Sequence, residues 1–275
     1  VASSTTINGY QSGSDAPNGI IGQHGVVDVV PVGSDAYNIS GEIGYLDVFS
    51  NTKSLSFDGT DDVMTATLKT NVWNTDFAIS FWMKPTSVVA NNPWYSGTNN
   101  QVIVEGTTQS DYSDGWRLYR NGTNFIFYQG LGSATSAFTT SSGTLSTTAW
   151  SHIVLTRTSS TIKLYMDKVE KGSGTDSSAW TNTSLRVGES LSYRGYIGLL
   201  DEFAVFDYGL TQSNIDTIYG TGVPGNLNTQ LTTGPINWYR MGDKNGGSGA
   251  TIADQGSEGD NGTVANATYS TDVPS

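Results

Sequence analysis

The chain has 275 residues, a formal net charge of -12 and an isoelectric point near 4.3, with 14% charged residues and no Cys. That balance excludes nucleic acid and anionic membrane surfaces as partners, since both need clustered Lys and Arg; the absence of Cys removes disulfides, thiolate metal sites and a Cys nucleophile together. No apolar run approaches membrane-spanning length, and Val1-Ala-Ser-Ser-Thr-Thr6 has neither the basic nor the apolar region of a secretory leader, so membrane insertion is not expected.

In chain order, residues 1 to 53 carry β-branched runs between glycines, notably Val26-Val-Asp-Val-Val-Pro-Val32. They predict either an arm that docks on sister chains or strands added to the edge of the main domain. Ser54 to Val63 and Phe77 to Pro85 alternate as strands. Between Val88 and Asn100, and again from Gln109 to Asp114, aromatics sit among Asn, Gln, Ser and Asp. A sugar needs that mixture: a flat apolar face to stack on and polar groups to match its hydroxyls. Trp94, Tyr95, Tyr112 and the adjoining Trp116 are therefore the predicted glycan contacts, against the ordinary alternative that Trp94 and Tyr95 cap the edge of a sheet.

Asn121-Gly122 predicts a type I′ hairpin over Trp116 to Tyr128. Trp150 to Arg157 and Ile162 to Asp167 read as a second hairpin. Ile197 to Phe206 is apolar enough for a central strand buried on both faces, which makes Asp201 and Glu202 in its middle costly unless they are paired, hydrogen-bonded or bound to a metal. Thr211 caps a short helix from Gln212 to Tyr219, stopped by Gly220. Past Pro224 the texture is first linker-like, then strand-like around Ile236-Asn-Trp-Tyr-Arg-Met-Gly-Asp243 and Gly262-Thr-Val264.

Four ordered segments carry a resemblance: Ser54-Leu-Ser-Phe-Asp-Gly-Thr-Asp-Asp-Val63, Phe77-Ala-Ile-Ser-Phe-Trp-Met-Lys-Pro85, Trp150-Ser-His-Ile-Val-Leu-Thr-Arg157 with Ile162-Lys-Leu-Tyr-Met-Asp167, and Gly195-Tyr-Ile-Gly-Leu-Leu-Asp-Glu-Phe-Ala-Val-Phe206. Together they resemble laminin-G-like domains, the concanavalin-A-like jelly rolls. The resemblance implies an all-β sandwich of two antiparallel sheets over residues 54 to 222, with residues 1 to 53 as an N-terminal arm or added strands. Residues 223 to 275 become a linker plus C-terminal strands that complete the same sandwich. Where such domains have Asp-Gly at a hairpin tip this chain has Asp167-Lys168, a departure expected to alter the turn type. The tail from Trp238 to Ser275 is similar to that of virion proteins of marine bacteriophages. The family also implies a structural calcium, held by Asp58 and Asp201 with Asp61 and Asp62 as nearby reserves; the alternative is that Asp58 supports a turn and Asp201 accepts backbone hydrogen bonds.

Catalytic arrays are missing from the sequence. No strand carries the alternating acids of a retaining glycanase, and the residue two beyond Glu202 is Ala204. A Ser-His-Asp triad would have to use His24 or His152, the chain's 2 histidines, and His152 lies inside a strand. The reading is a non-enzymatic, homo-oligomeric virion structural or decoration protein that displays its sandwich to glycans and contacts other virion proteins or sister chains through residues 1 to 53. The alternative is a free or secreted bacterial lectin.

Overall fold

The computed structural model describes residues 28–31, 37–40, 49–86, 100–108, 115–130, 134–140, 145–189 and 195–275. In chain order the strands are β1 (Asp28–Pro31), β2 (Tyr37–Ser40), β3 (Ser54–Asp58), β4 (Val63–Thr67), β5 (Phe77–Pro85), β6 (Asn100–Thr107), β7 (Gly115–Asn121), β8 (Asn124–Gly130) and β9 (Ala134–Thr139). They continue with β10 (Ser151–Thr158), β11 (Thr161–Met166), β12 (Val169–Thr175), β13 (Ser184–Val187) and β14 (Ile197–Phe206). After helices α1 (Gln212–Tyr219) and α2 (Leu227–Gln230) come β15 (Asn237–Tyr239), β16 (Thr251–Ile252), β17 (Gly262–Ala265) and β18 (Thr268–Ser270).

Two compact units divide the chain, Val1–Phe49 and Ser50–Ser275. In the first, among the described residues, β1 and β2 pair with each other, Asp28 opposite Ser40. The second is a sandwich of two antiparallel sheets. One runs β12-β11-β10-β5-β14-β3-β18, with β15 also on β14; the other runs β16-β17-β4-β13-β6-β7-β8-β9. The C-terminal segment supplies strands to both sheets. Its Ile236, Tyr239, Met241, Ile252 and Val264 join the common core, which explains why so short a tail is ordered against the sandwich.

Strand periodicity sorts the side chains. On β5, Phe77, Ile79, Phe81 and Met83 point into the core between the sheets, while Ala78, Ser80, Trp82 and Lys84 point outward. That outer face is itself buried. Helix α1 covers it with Ile215 and Ile218, both nearly inaccessible, and Tyr219 stacks on Trp82 at 6.0 Å. The helix starts as predicted: Thr211 accepts from Asn214 N while the Asn214 side chain accepts from Thr211 N, a reciprocal cap.

Two turn expectations need correcting. The β7–β8 hairpin turns on Gly122-Thr123, because Asn121 pairs with Asn124; with Gly122 at φ 59 as its first central residue it has the II′ pattern rather than I′. Asp167 and Lys168 adopt φ of 50° and 62°, so the tip keeps the I′ dihedral signs without glycine, and the turn type is not altered.

Candidate functional site

The β3–β4 connection, residues 58 to 62, is an acidic turn. Asp58 N donates to Asp62 Oδ2 at 2.6 Å and Thr60 N donates to Asp58 Oδ1 at 2.7 Å. Gly59 takes φ 80°, where a Cβ would lie 2.5 Å from Ile197 Cγ1, so the turn fits only glycine there. The carboxylates of Asp58, Asp61 and Asp62 come within 4.8 Å of one another. Burial lifts the Asp62 carboxyl above the ordinary range; the Asp58 N–H opposes this, and the charges of Asp58 and Asp61 add to it. Asn266 Nδ2 donates to Asp61 O at 3.1 Å and braces the turn from the C-terminal segment. Glu189 faces it from the turn after β13. Its carboxyl is raised first by burial and further by Asp61 and Glu105, although Arg186 pairs with it at 2.9 Å. Clustered oxygens with mutual repulsion are a donor set suited to a hard divalent cation.

The predicted metal pair does not meet. Asp58 lies opposite Ile197 and Leu55 opposite Leu200, which puts Asp201 four residues along the strand from Ile197, about 13 Å away at strand rise. Asp201 is fully buried and occupied: Oδ2 accepts from Asn51 Nδ2 at 2.9 Å and Oδ1 from Glu202 N at 2.8 Å. The residues that fit a calcium are Asp58 with its two reserves, Asp61 and Asp62.

Around this turn several strand ends converge. Pro85 pairs with Gly198 beside the Ile197–Asp58 pair, Thr86 N donates to Ile197 O, Gly188 N donates to Ile103 O, and Val102 bridges Gly195. The ends of β5 and β6 that flank residues 87–99 are thus both at this rim. Trp94 and Tyr95 fall in that segment and lie outside the described residues. Tyr112 also lies outside them, but its segment leaves from Thr107, the opposite end of β6, with anchor points about 23 Å from Asn100 at strand rise. Trp116 is a correction. It is 1% exposed and packs in the core against Trp73 at 4.9 Å, Phe77 at 5.8 Å and Phe127 at 5.9 Å, because its place in β7 alternates inward with Leu118. It cannot touch a sugar.

The central acids have a different solution. A bulge sets Asp201 opposite Trp82 and Ala204 opposite Ser80, so Glu202 and Phe203 share one partner, Phe81. Glu202 takes φ 51°, and both carboxylates face outward beneath the C-terminal segment. Glu202 Oε2 accepts from Trp238 Nε1 at 2.7 Å and Oε1 from Arg240 Nε at 3.0 Å. The partner was visible in sequence as Trp238-Tyr-Arg240, but strand pairing was needed to aim it at Glu202.

His152 Nε2 lies 2.8 Å from Ser80 Oγ, beneath Trp82 and Tyr219. Its other ring nitrogen has no partner among the described residues, and burial drives its pKa down to about 3. A neutral imidazole sealed from solvent, with no acid behind it among the described residues, is a packing element, and His152 does not form part of a triad there. His24 lies outside the described residues.

The sequence profile of the concanavalin A-like lectin/glucanases superfamily, in its laminin-G form, matches residues 57–216, more than half of the chain. No curated protein matches it. Among solved structures, a candidate carbohydrate-binding protein from Bacteroides ovatus superposes with a TM-score of 0.60 at 13% identity, over 82% of this chain and 62% of that one. The SAP-like pentraxin of Limulus polyphemus gives 0.46 at 15% identity, over 66% and 89%, and domains LG4-5 of the mouse laminin alpha1 chain give 0.44 at 17%, over 67% and 47%. The chain therefore spans 62% of the length of the Bacteroides protein, and at such identities the likeness is one of fold.

Proposed function

The chain belongs to the concanavalin A-like lectin/glucanases superfamily, and from that premise we propose that it is a non-enzymatic glycan-binding module whose ligand site is the rim around residues 58 to 62. The observation that carries this reading is the convergence of the Asp58–Asp61–Asp62 cluster with both anchors of residues 87–99, the segment bearing Trp94 and Tyr95. Asp58, Asp61 and Asp62 would hold a calcium, which when bound supplies open coordination positions for sugar hydroxyls. Trp94 and Tyr95 would supply the apolar face; the segment that carries Tyr112 follows the opposite end of β6. Against an enzyme stand the sequestered roles of two candidate catalytic groups: Glu202 is tied to Arg240 and Trp238, and His152 is sealed under Trp82.

A virion surface is the setting we favour. Its support is the separate unit formed by residues 1–49, suited to attachment or self-association, and the tail resembling those of phage virion proteins. A glycan array on the purified protein, run with calcium and with chelator, tests the site. Calcium-dependent binding lost in Asp61→Asn and in Trp94→Ala is expected; binding indifferent to calcium and to both changes rejects the rim. Removing residues 1 to 35 should abolish incorporation into particles while glycan binding persists. A truncated chain that incorporates normally leaves a secreted lectin as the better reading.

A further inference from the structure

Above β14 the charges do not balance. Asp201 is fully buried, the side chains of Glu202 and Asp243 are 3% exposed, and the guanidinium of Arg240 is 5% exposed. Three carboxylates thus face one buried cation. Arg240 serves two of them, Glu202 at 3.0 Å and Asp243 at 3.1 Å, and its Nη2 also donates to Ser50 O. Asp243 Oδ1 further accepts from Thr52 N and Thr52 Oγ1. Among the described residues, Asp201 accepts from the neutral donors of Asn51 and the Glu202 backbone. Around Glu202, β5 brings Ser80 and Trp82, β15 brings Trp238, and α1 and α2 bring Ile218 and Leu227; Lys84, on the same outward face of β5, pairs with Asp272 at 2.6 Å, and Lys244 follows Asp243 on the exposed side of the segment. Lys53 lies alongside Gly242 and Gly247, and His152 is neutral under Trp82.

We propose that Asp201, Glu202, Arg240 and Asp243 form a proton-dependent latch that holds residues 237–243 on β14 when one carboxyl is protonated and loosens as pH rises. Two ionised acids side by side on a bulge, both buried, repel each other, and the strand they hold is short. β15 makes just three residue pairs with β14, Phe203–Tyr239, Ala204–Trp238 and Val205–Asn237. The titration supports the geometry. Burial, then the Glu202 charge, puts Asp201 well above the usual carboxylate range; burial raises Glu202 to about 7 against the pull of Arg240 and Trp238. Folded pKa values above the unfolded ones give stability that is complete below about 4.5 and lost as pH rises through about 7.

Hydrogen exchange of the full chain, in chelator and corrected for intrinsic rate, reads the latch directly. Between pH 5 and pH 8 the opening equilibrium of residues 237–240 should rise roughly a hundredfold, while amides of β5 and β10 keep their relative protection. Glu202→Gln keeps the side-chain shape and should flatten the response. Wild-type protection of 237–240 that is equal at the two pH values, or a slope that survives in Glu202→Gln, overturns the proposal. Should the variant fail to fold, calorimetric refolding of the wild type at pH 7.5 in buffers of different ionisation heat decides: net proton uptake upholds the latch, and none refutes it.

Discussion

Replacing Trp116 by Ala separates a core residue from a sugar platform. The indole is 1% exposed, and burying a tryptophan removes about 200 Å² from water, worth about 5 kcal/mol at about 25 cal/mol per Å². Alanine retains a methyl of this, and the void left between Trp73, Phe77 and Phe127 adds a cavity penalty, so the expected loss is at least about 4 kcal/mol. That is a large share of the 5–15 kcal/mol typical of a domain and corresponds to a fall in Tm of about 10 °C. Trp116 Nε1 is buried and has no hydrogen-bond partner among the described residues. Trp116→Phe therefore removes an unsatisfied donor, worth about 1–3 kcal/mol, and this offsets most of the lost ring contact. The assay is urea unfolding of the wild type and both variants at fixed calcium, with glycan binding measured on the folded protein. A loss below about 1 kcal/mol in Trp116→Ala, with binding abolished, would refute the placement in the core.

Calcium at a hundred times its Kd should stabilise the protein by about 2.7 kcal/mol, and Asp61→Asn should cancel the effect while Asp201→Asn leaves it intact; the reverse pattern would restore the Asp58–Asp201 pairing. Ser160, at φ 67° in a hairpin tip, is strained relative to glycine, so Ser160→Gly should gain about 0.5 kcal/mol in urea unfolding, and a loss would contradict the assigned turn. His152 has its folded pKa pushed down to about 3, so the stability it carries is present above pH 6.5 and is lost as pH falls toward 3. In His152→Asn that acid limb should flatten, and an unchanged limb would assign it to other groups. Incubation with laminarin, agarose, alginate or cellulose should release no reducing sugar above a blank; turnover removed by Glu202→Gln would establish an enzyme.

Local chemistry made much of this protein legible in one dimension. The strand alternation of Phe77 to Pro85, the apolar run ending at Phe206, the Thr211 cap and the Gly220 stop each depend on neighbours a few residues apart, and each stands in the fold as read. Position within a strand does not say which residues will lie across from it. Trp116 looked like a surface aromatic because polar residues precede it, yet its register in β7 turns it inward. Asp58 and Asp201 match the family pattern, yet the antiparallel pairing of β3 with β14 puts them at different heights on the sheet. The bulge at Glu202 turned a costly pair of acids into one face of a cluster whose cation, Arg240, comes from 38 residues downstream. Only closure of the two sheets brings such groups together, because burial and pairing are properties of the whole packed chain and not of any window of its sequence.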